Sequence, residues 1–224
     1  MGIFYGVSVG SGDPELITLK AVKIIEKCPV IIAPRTNGNS LALSIAEKIM
    51  DFSGKKIIYA DFPMSKDENI LKNNYLNISD MICRELKFND VAMLNLGDIS
   101  IYSTFSYIAE IIGKRSFEVV RCSGVTSFCS CANACGISLT DKNMPVIIIP
   151  YGCENFDSLI NSYGTKIIMK CGKNADKLIN ILKKSNLLNN TYAVENCGLE
   201  NQKILKGNEI TNDLGYFTVF IVNA

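Results

Sequence analysis

The 224-residue chain contains no histidine, which removes Ser-His hydrolases, Cys-His proteases, His-ligated zinc and any imidazole general base. It has no tryptophan, only four arginines and a formal net charge of +1, so no overall basic field draws it to nucleic acid. No apolar run reaches the roughly eighteen residues that a membrane helix needs. The longest ones, Pro29 to Pro34 and Pro145 to Pro150, are strand-sized. Residues 1–12 lack a basic leader and run directly into strand-like sequence, which reads as neither signal nor transit peptide and points to the cytoplasm. Chemistry in this chain falls to carboxylates, lysines, tyrosines, thiols or the backbone.

What is present is a globular composition, 48% hydrophobic and 20% charged, at a length suited to one large domain or two small ones. Nine cysteines, an odd number, are scattered without the spacing of a disulfide framework and read as reduced thiols. Hydrophobic period places strands near Ile3 to Val9, Val30 to Ala33, Lys56 to Asp61, Val91 to Leu96 and Phe117 to Arg121. Helical spacing fills the gaps at Leu16 to Lys27, Ser40 to Asp51, Glu68 to Leu86 and Tyr102 to Ile112, with Ser40 and Asp67 as N-caps. Five βα units imply a mainly parallel five-stranded sheet.

A helix over Thr126 to Ala134 opens the second half. Strands follow near Val146 to Ile149, Lys166 to Lys170, Thr191 to Glu195, Lys203 to Leu205 and Phe217 to Val222, with a helix at Asp176 to Lys184. Short turn-rich links between the last three strands suggest a meander ending in a mixed five-stranded sheet. The expectation is two α/β domains, residues 1–122 and 123–224, divided at the Ser-Gly turn after the fifth strand.

Ligands of open parallel sheets bind beyond the carboxyl ends of strands, and three such ends carry glycine ahead of a helix. The first is Gly10, Ser11, Gly12, Asp13 and Pro14; the second runs from Gly97 to Thr104; the third is Ser123 to Ser127. The first loop has neither G-x-G-x-x-G nor P-loop spacing and reads alone as a tight βα turn. Asp98 either caps a helix or holds a polar ligand group, and Thr126 and Ser127 could equally be a cap. Cys129, Cys131 and Cys135 form C-x-C-x3-C, a spacing foreign to common metal sites, on a helix where cysteine packs as a small apolar residue. Tyr102, Phe105 and Tyr107 read as core aromatics. Lys170 ends a strand otherwise made of Ile167, Ile168 and Met169, where its ammonium must reach water or an acidic partner.

Taken together and in this order, the three loops resemble those of the tetrapyrrole methylase family of S-adenosylmethionine-dependent methyltransferases. Gly6 to Ala21 (GVSVGSGDPELITLKA) is similar to its opening loop, Leu94 to Thr104 (LNLGDISIYST) to its Gly-Asp motif and Gly124 to Ala132 (GVTSFCSCA) to its third motif. Ser40 to Ala46, Phe62 to Lys66 (FPMSK) and Ile168 to Lys170 (IMK) resemble the branch that methylates C-20 of precorrin-2, metal-free or with cobalt. The resemblance implies a two-domain α/β homodimer with the methyl donor in the cleft between domains and the tetrapyrrole in an adjoining trough. It assigns the donor to Ser11, Leu96, Gly97, Asp98, Ile101, Thr126, Ser127, Met169 and Cys197, with no metal ligands. Where relatives have proline this chain has Ser11, Ile99 and Ser123, and it has Ser8 where they have glycine, which makes the loops less rigid.

By the same resemblance, Asp98, Lys170 and Tyr216 would position a water that takes the proton C-20 loses after methylation, with Tyr102 in reserve. Arg35 and Lys66 are candidates for the acidic side chains of the substrate. Rival readings are another ring position, RNA methylation, a non-catalytic module that binds tetrapyrrole or donor, and a thiolate-metal protein.

Overall fold

The computed structural model describes residues 1–35, 38–65 and 67–223. The chain divides into two compact units, Met1–Thr126 and Ser127–Ala224.

In the first unit, β1 (Phe4–Ser8), β2 (Val30–Arg35), β3 (Lys56–Asp61), β4 (Val91–Asn95) and β5 (Val119–Cys122) form one sheet in the order β3-β2-β4-β1-β5. Every pairing in it is parallel. Helices α1 (Leu19–Lys27), α2 (Leu41–Ala46), α3 (Glu68–Leu86) and α4 (Phe105–Lys114) connect the strands. Because β4 returns to lie beside β1 and β5 joins on the other side, the strands that end in the three glycine loops are immediate neighbours. β1 and β4 are buried along their whole lengths, which explains their continuous apolar sequence. Phe105 of α4 lies over Gly6, where an added Cβ would meet the Phe105 ring at 2.3 Å.

The first three helices begin at side-chain caps. Thr18 Oγ1 accepts the Ala21 N–H at 3.2 Å, and Asp67 Oδ1 accepts from Asn69 N at 2.8 Å and Ile70 N at 3.4 Å. Replacing Asp67 by alanine removes the cap from the longest helix, and chemical denaturation is expected to show a loss of about 1 kcal/mol with unchanged m. An unchanged midpoint would show that packing of Ile78, Ile82 and Leu86 in the C-terminal half stabilises the helix without the cap.

In the second unit, β6 (Val146–Pro150), β7 (Thr165–Met169), β8 (Thr191–Glu195), β9 (Lys203–Lys206) and β10 (Thr218–Val222) form a mixed sheet in the order β6-β7-β10-β8-β9. The mixed sheet is as the sequence suggests, but the terminal meander is not. β10 pairs antiparallel with both β7 and β8 instead of with β9. The helix α7 (Ala175–Lys184) carries the chain from β7 past an open position to β8, and β10 fills that position last. Helix α5 (Ser127–Ala134) packs on one face with Cys131, Val194, Cys197 and Val219. On the other face α7 and a short helix that the sequence reading missed, α6 (Phe156–Ile160), pack against Ile149, Ile168 and Phe220.

Candidate active site

The three strand-end loops of the first unit are bonded to one another. Gly97 N donates to Gly10 O at 2.7 Å, an antiparallel bridge joining the first loop to the second. Gly10 and Gly97 both sit at positive φ, 73° and 67°, a conformation in which glycine carries no Cβ penalty. The second and third loops are joined by Asp98. Its Oδ1 accepts from the Ser100 N–H at 2.8 Å and from the Ser100 hydroxyl, while Oδ2 accepts from the Gly124 N–H at 2.7 Å. Gly124 is packed so closely that a Cβ would stand 2.5 Å from Ser8 Cβ and 2.8 Å from Gly97 O.

Asp98 is buried. Burial raises its proton affinity, but the hydrogen bonds from Ser100 and Gly124 outweigh that and hold the carboxyl below its ordinary range. The group is thus an anion tied to its own loops, with a geometry beyond local capping because one of its donors is 26 residues away. Its ionised, already bonded state makes it a weak proton acceptor, which argues against the role of base centre and for that of a clasp.

Thr126 closes the third loop, and its hydroxyl oxygen is buried with no hydrogen-bond partner among the described residues. It therefore does not cap α5, the alternative that the sequence left open. A buried hydroxyl without a partner is costly unless a ligand completes it. Ser11 and Leu96 are half-buried on the first and second loops, Ile101 is half-buried beyond Asp98, and Ser127 begins α5. Tyr102, at φ 49° and exposed, lines a cavity of about 360 Å³ with Ser100, Ser103, Thr104, Ser106 and Tyr107. Ser103 is held by Asn95, whose Oδ1 accepts from Ser103 Oγ at 3.1 Å, while Ser103 Oγ accepts the Phe105 N–H at 3.2 Å.

Arg35 was expected to face an acidic substrate. Instead its guanidinium is occupied by Asp61, Nε to Oδ1 at 2.6 Å and Nη2 to Oδ2 at 2.7 Å. The two residues are directly paired in the β2–β3 register, and this bidentate contact leaves the fork filled. Lys66 lies outside the described residues.

In the second unit, Met169 ends β7 half-buried and Lys170 follows it, exposed, at φ 62°. Cys197 is buried, and its hydrogen bond with Cys131 favours the Cys197 thiolate and, together with burial, pushes the Cys131 thiol up. Tyr216 is half-exposed on a turn fastened to the end of β8. Glu195 Oε1 accepts the Gly215 N–H at 2.6 Å, and Asn196 N donates to Phe217 O at 2.9 Å. Ser8, Ser100, Gly124 and Glu195, which bond or pack within these loops, were not singled out as site residues from the sequence. Of these only Ser100 had a local signal, the Asp-x-Ser spacing that favours an Asx turn.

Residues 4–210 match the family described as Tetrapyrrole (Corrin/Porphyrin) Methylases. A probable cobalt-precorrin-2 C(20)-methyltransferase of Methanocaldococcus jannaschii is 34% identical over 181 residues, 80% of this chain and 76% of that one. The cobalt-precorrin-2 C(20)-methyltransferase of Salmonella typhimurium is 26% identical over 99% of this chain and 96% of its own length. Among solved structures, a cobalt precorrin-4 methyltransferase superposes with a TM-score of 0.79 at 15% identity, covering 99% of this chain and 94% of that chain. The uroporphyrin-III C-methyltransferase of Thermus thermophilus complexed with S-adenosylhomocysteine gives 0.72 at 16%, covering 99% and 97%. At those identities the two structures speak for the fold.

Proposed function

The chain belongs to the tetrapyrrole methylases, and from that premise we propose that it transfers the methyl group of S-adenosylmethionine to C-20 of precorrin-2, in the cobalt-containing form, during cobalamin biosynthesis. The observation that carries the reading is the buried, unpartnered Thr126 hydroxyl beside loops tied together by Asp98, a frame that suits a polar donor. The donor supplies an electrophilic sulfonium methyl, and the electron-rich C-20 of the ring attacks it. The protein need not create a strong nucleophile; orientation at attack distance supplies much of the acceleration.

In this reading Ser11, Leu96 to Asp98, Ile101 and Thr126 hold the donor, with Ser127, Met169 and Cys197 as further donor contacts. Asp98 acts through the loops it fastens. The cavity lined by Tyr102 takes part of the acceptor, and Lys170 and Tyr216 order the water that receives the C-20 proton. The cobalt form is favoured because both relatives quoted above carry it in their names. A cytoplasmic homodimer belongs to the same proposal; among the described residues no helix is long and apolar enough to cross a membrane.

The test is anaerobic incubation with the donor and precorrin-2, with and without cobalt, locating the new methyl by mass and carbon NMR. Methyl at C-20 of the cobalt form at the higher rate is expected. Transfer to another ring position, or binding without release of S-adenosylhomocysteine, overturns the proposal. Lys170→Ala is expected to lower kcat about tenfold, the scale of one lost water-mediated contact, with the KM for donor unchanged. An unchanged kcat removes Lys170 from the mechanism.

A further inference from the structure

We infer that Ser8 is a positioning residue for the methyl-donor loops, and that its hydroxyl does this by accepting the buried Ile99 N–H; the inference rests on the donor reading above. Ser8 is the last residue of β1 and has no exposed surface, so it acts on any ligand only through its neighbours. Its Oγ accepts from Ile99 N at 3.1 Å, a contact between residues 91 apart in sequence. Ile99 follows Asp98 directly and is 2% exposed, so its N–H has no access to water and depends on this acceptor. Ser8 Cβ is also the atom nearest to the place where a side chain on Gly124 would stand.

One side chain thus meets all three loops, leading by its own backbone into the first, bonded to the second and packed on the third. The Asp98 clasp fixes the second loop to the third, and the Gly97–Gly10 bridge fixes it to the first. Neither holds the peptide that immediately follows Asp98, and Ser8 does. A proline at position 99 would have no N–H to satisfy; Ile99 has one, and the Ser8 hydroxyl satisfies it and so ties the loop to the end of β1.

The test is Ser8→Ala in the full-length chain, with Val7→Ala on the same strand as a control that removes buried volume without touching Ile99. S-adenosylhomocysteine binding by calorimetry, well below the melting temperature of each variant, is expected to weaken about tenfold in Ser8→Ala. The KM for donor should rise in parallel, with kcat within about twofold, and the Ile99 amide of the unliganded protein should exchange faster. Val7→Ala is expected to melt lower and to bind as wild type does. Equal affinity of Ser8→Ala and wild type, or equal weakening in Val7→Ala, overturns the inference. Absence of binding by wild type overturns the donor reading itself, a result separable from the first because the Ile99 exchange rate is read without ligand.

Discussion

Gly124→Ala is expected to reduce kcat/KM by about 100-fold or more and to weaken S-adenosylhomocysteine to the same degree. The new Cβ would stand 2.5 Å from Ser8 Cβ and 2.8 Å from Gly97 O, distances at which something has to move. Neither neighbour is the end of a flexible side chain. Ser8 Cβ is rooted in a central strand and Gly97 O belongs to the backbone of the adjoining loop, so the third loop itself must swing away. That swing pulls the Gly124 N–H from Asp98 Oδ2. A displacement of about 1 Å of groups that orient a reacting methyl costs on the order of 10²-fold. Steady-state kinetics and calorimetric titration below the melting temperature check this, and a loss of less than fivefold would show that the third loop does not frame the donor.

Asp98→Asn should lower donor affinity by about 100-fold. The amide keeps one oxygen, enough for the Ser100 contacts, and then turns an NH2 group toward the Gly124 N–H, donor against donor. Losing a charged hydrogen bond and stranding its partner costs roughly 3 kcal/mol. Titration by calorimetry checks it, and a change below threefold would mean that the clasp is dispensable. The same group sets an acid limit. Folding lowers the pKa of Asp98, so the stabilisation is complete above the unfolded value of about 3.9 and is lost as pH falls through the lower folded value. Wild-type donor affinity should therefore be flat from about pH 8 to pH 5 and fall only below about pH 4. A rate limb between about pH 5 and 7 from this carboxylate would instead restore it as the base.

Much of the first unit was legible because each strand and helix carries its own period. The bounds of β3 and α3 are those expected, since Lys56 to Asp61 is a short run centred on Ile57, Ile58 and Tyr59 and Glu68 to Leu86 has a cap at Asp67. The order of strands was not legible, because pairing is decided by connections that period does not encode. That order is what makes the three motif loops neighbours, so the site as a cluster emerged only with the fold. Asp98 was legible as a polar residue at a strand end, but its role depends on Gly124, and no local pattern reports a partner 26 residues on. Arg35 shows a partner that its own segment does not report. A strand-end arginine resembles a substrate contact until the β2–β3 register sets Asp61 beside it.

The misplaced last strand had a signal that was available. β10 reads TVFIV and is buried throughout, whereas β9 reads KILK and is largely exposed. Continuous apolar sequence marks a central strand and lysines mark an edge. The same arrangement bears on how the polypeptide matures during translation. β6 with β7 and β8 with β9 emerge as two separate ribbons, and the strand that welds them is made after all the others in the sheet. Until residues 218–222 have left the ribosome, the inward edges of β7 and β8 are open hydrogen-bonding templates. The first sheet closes in the same way when β4 enters between β2 and β1, but there only β5 and its connecting helix remain to be made, whereas the second sheet stays open until its last strand arrives.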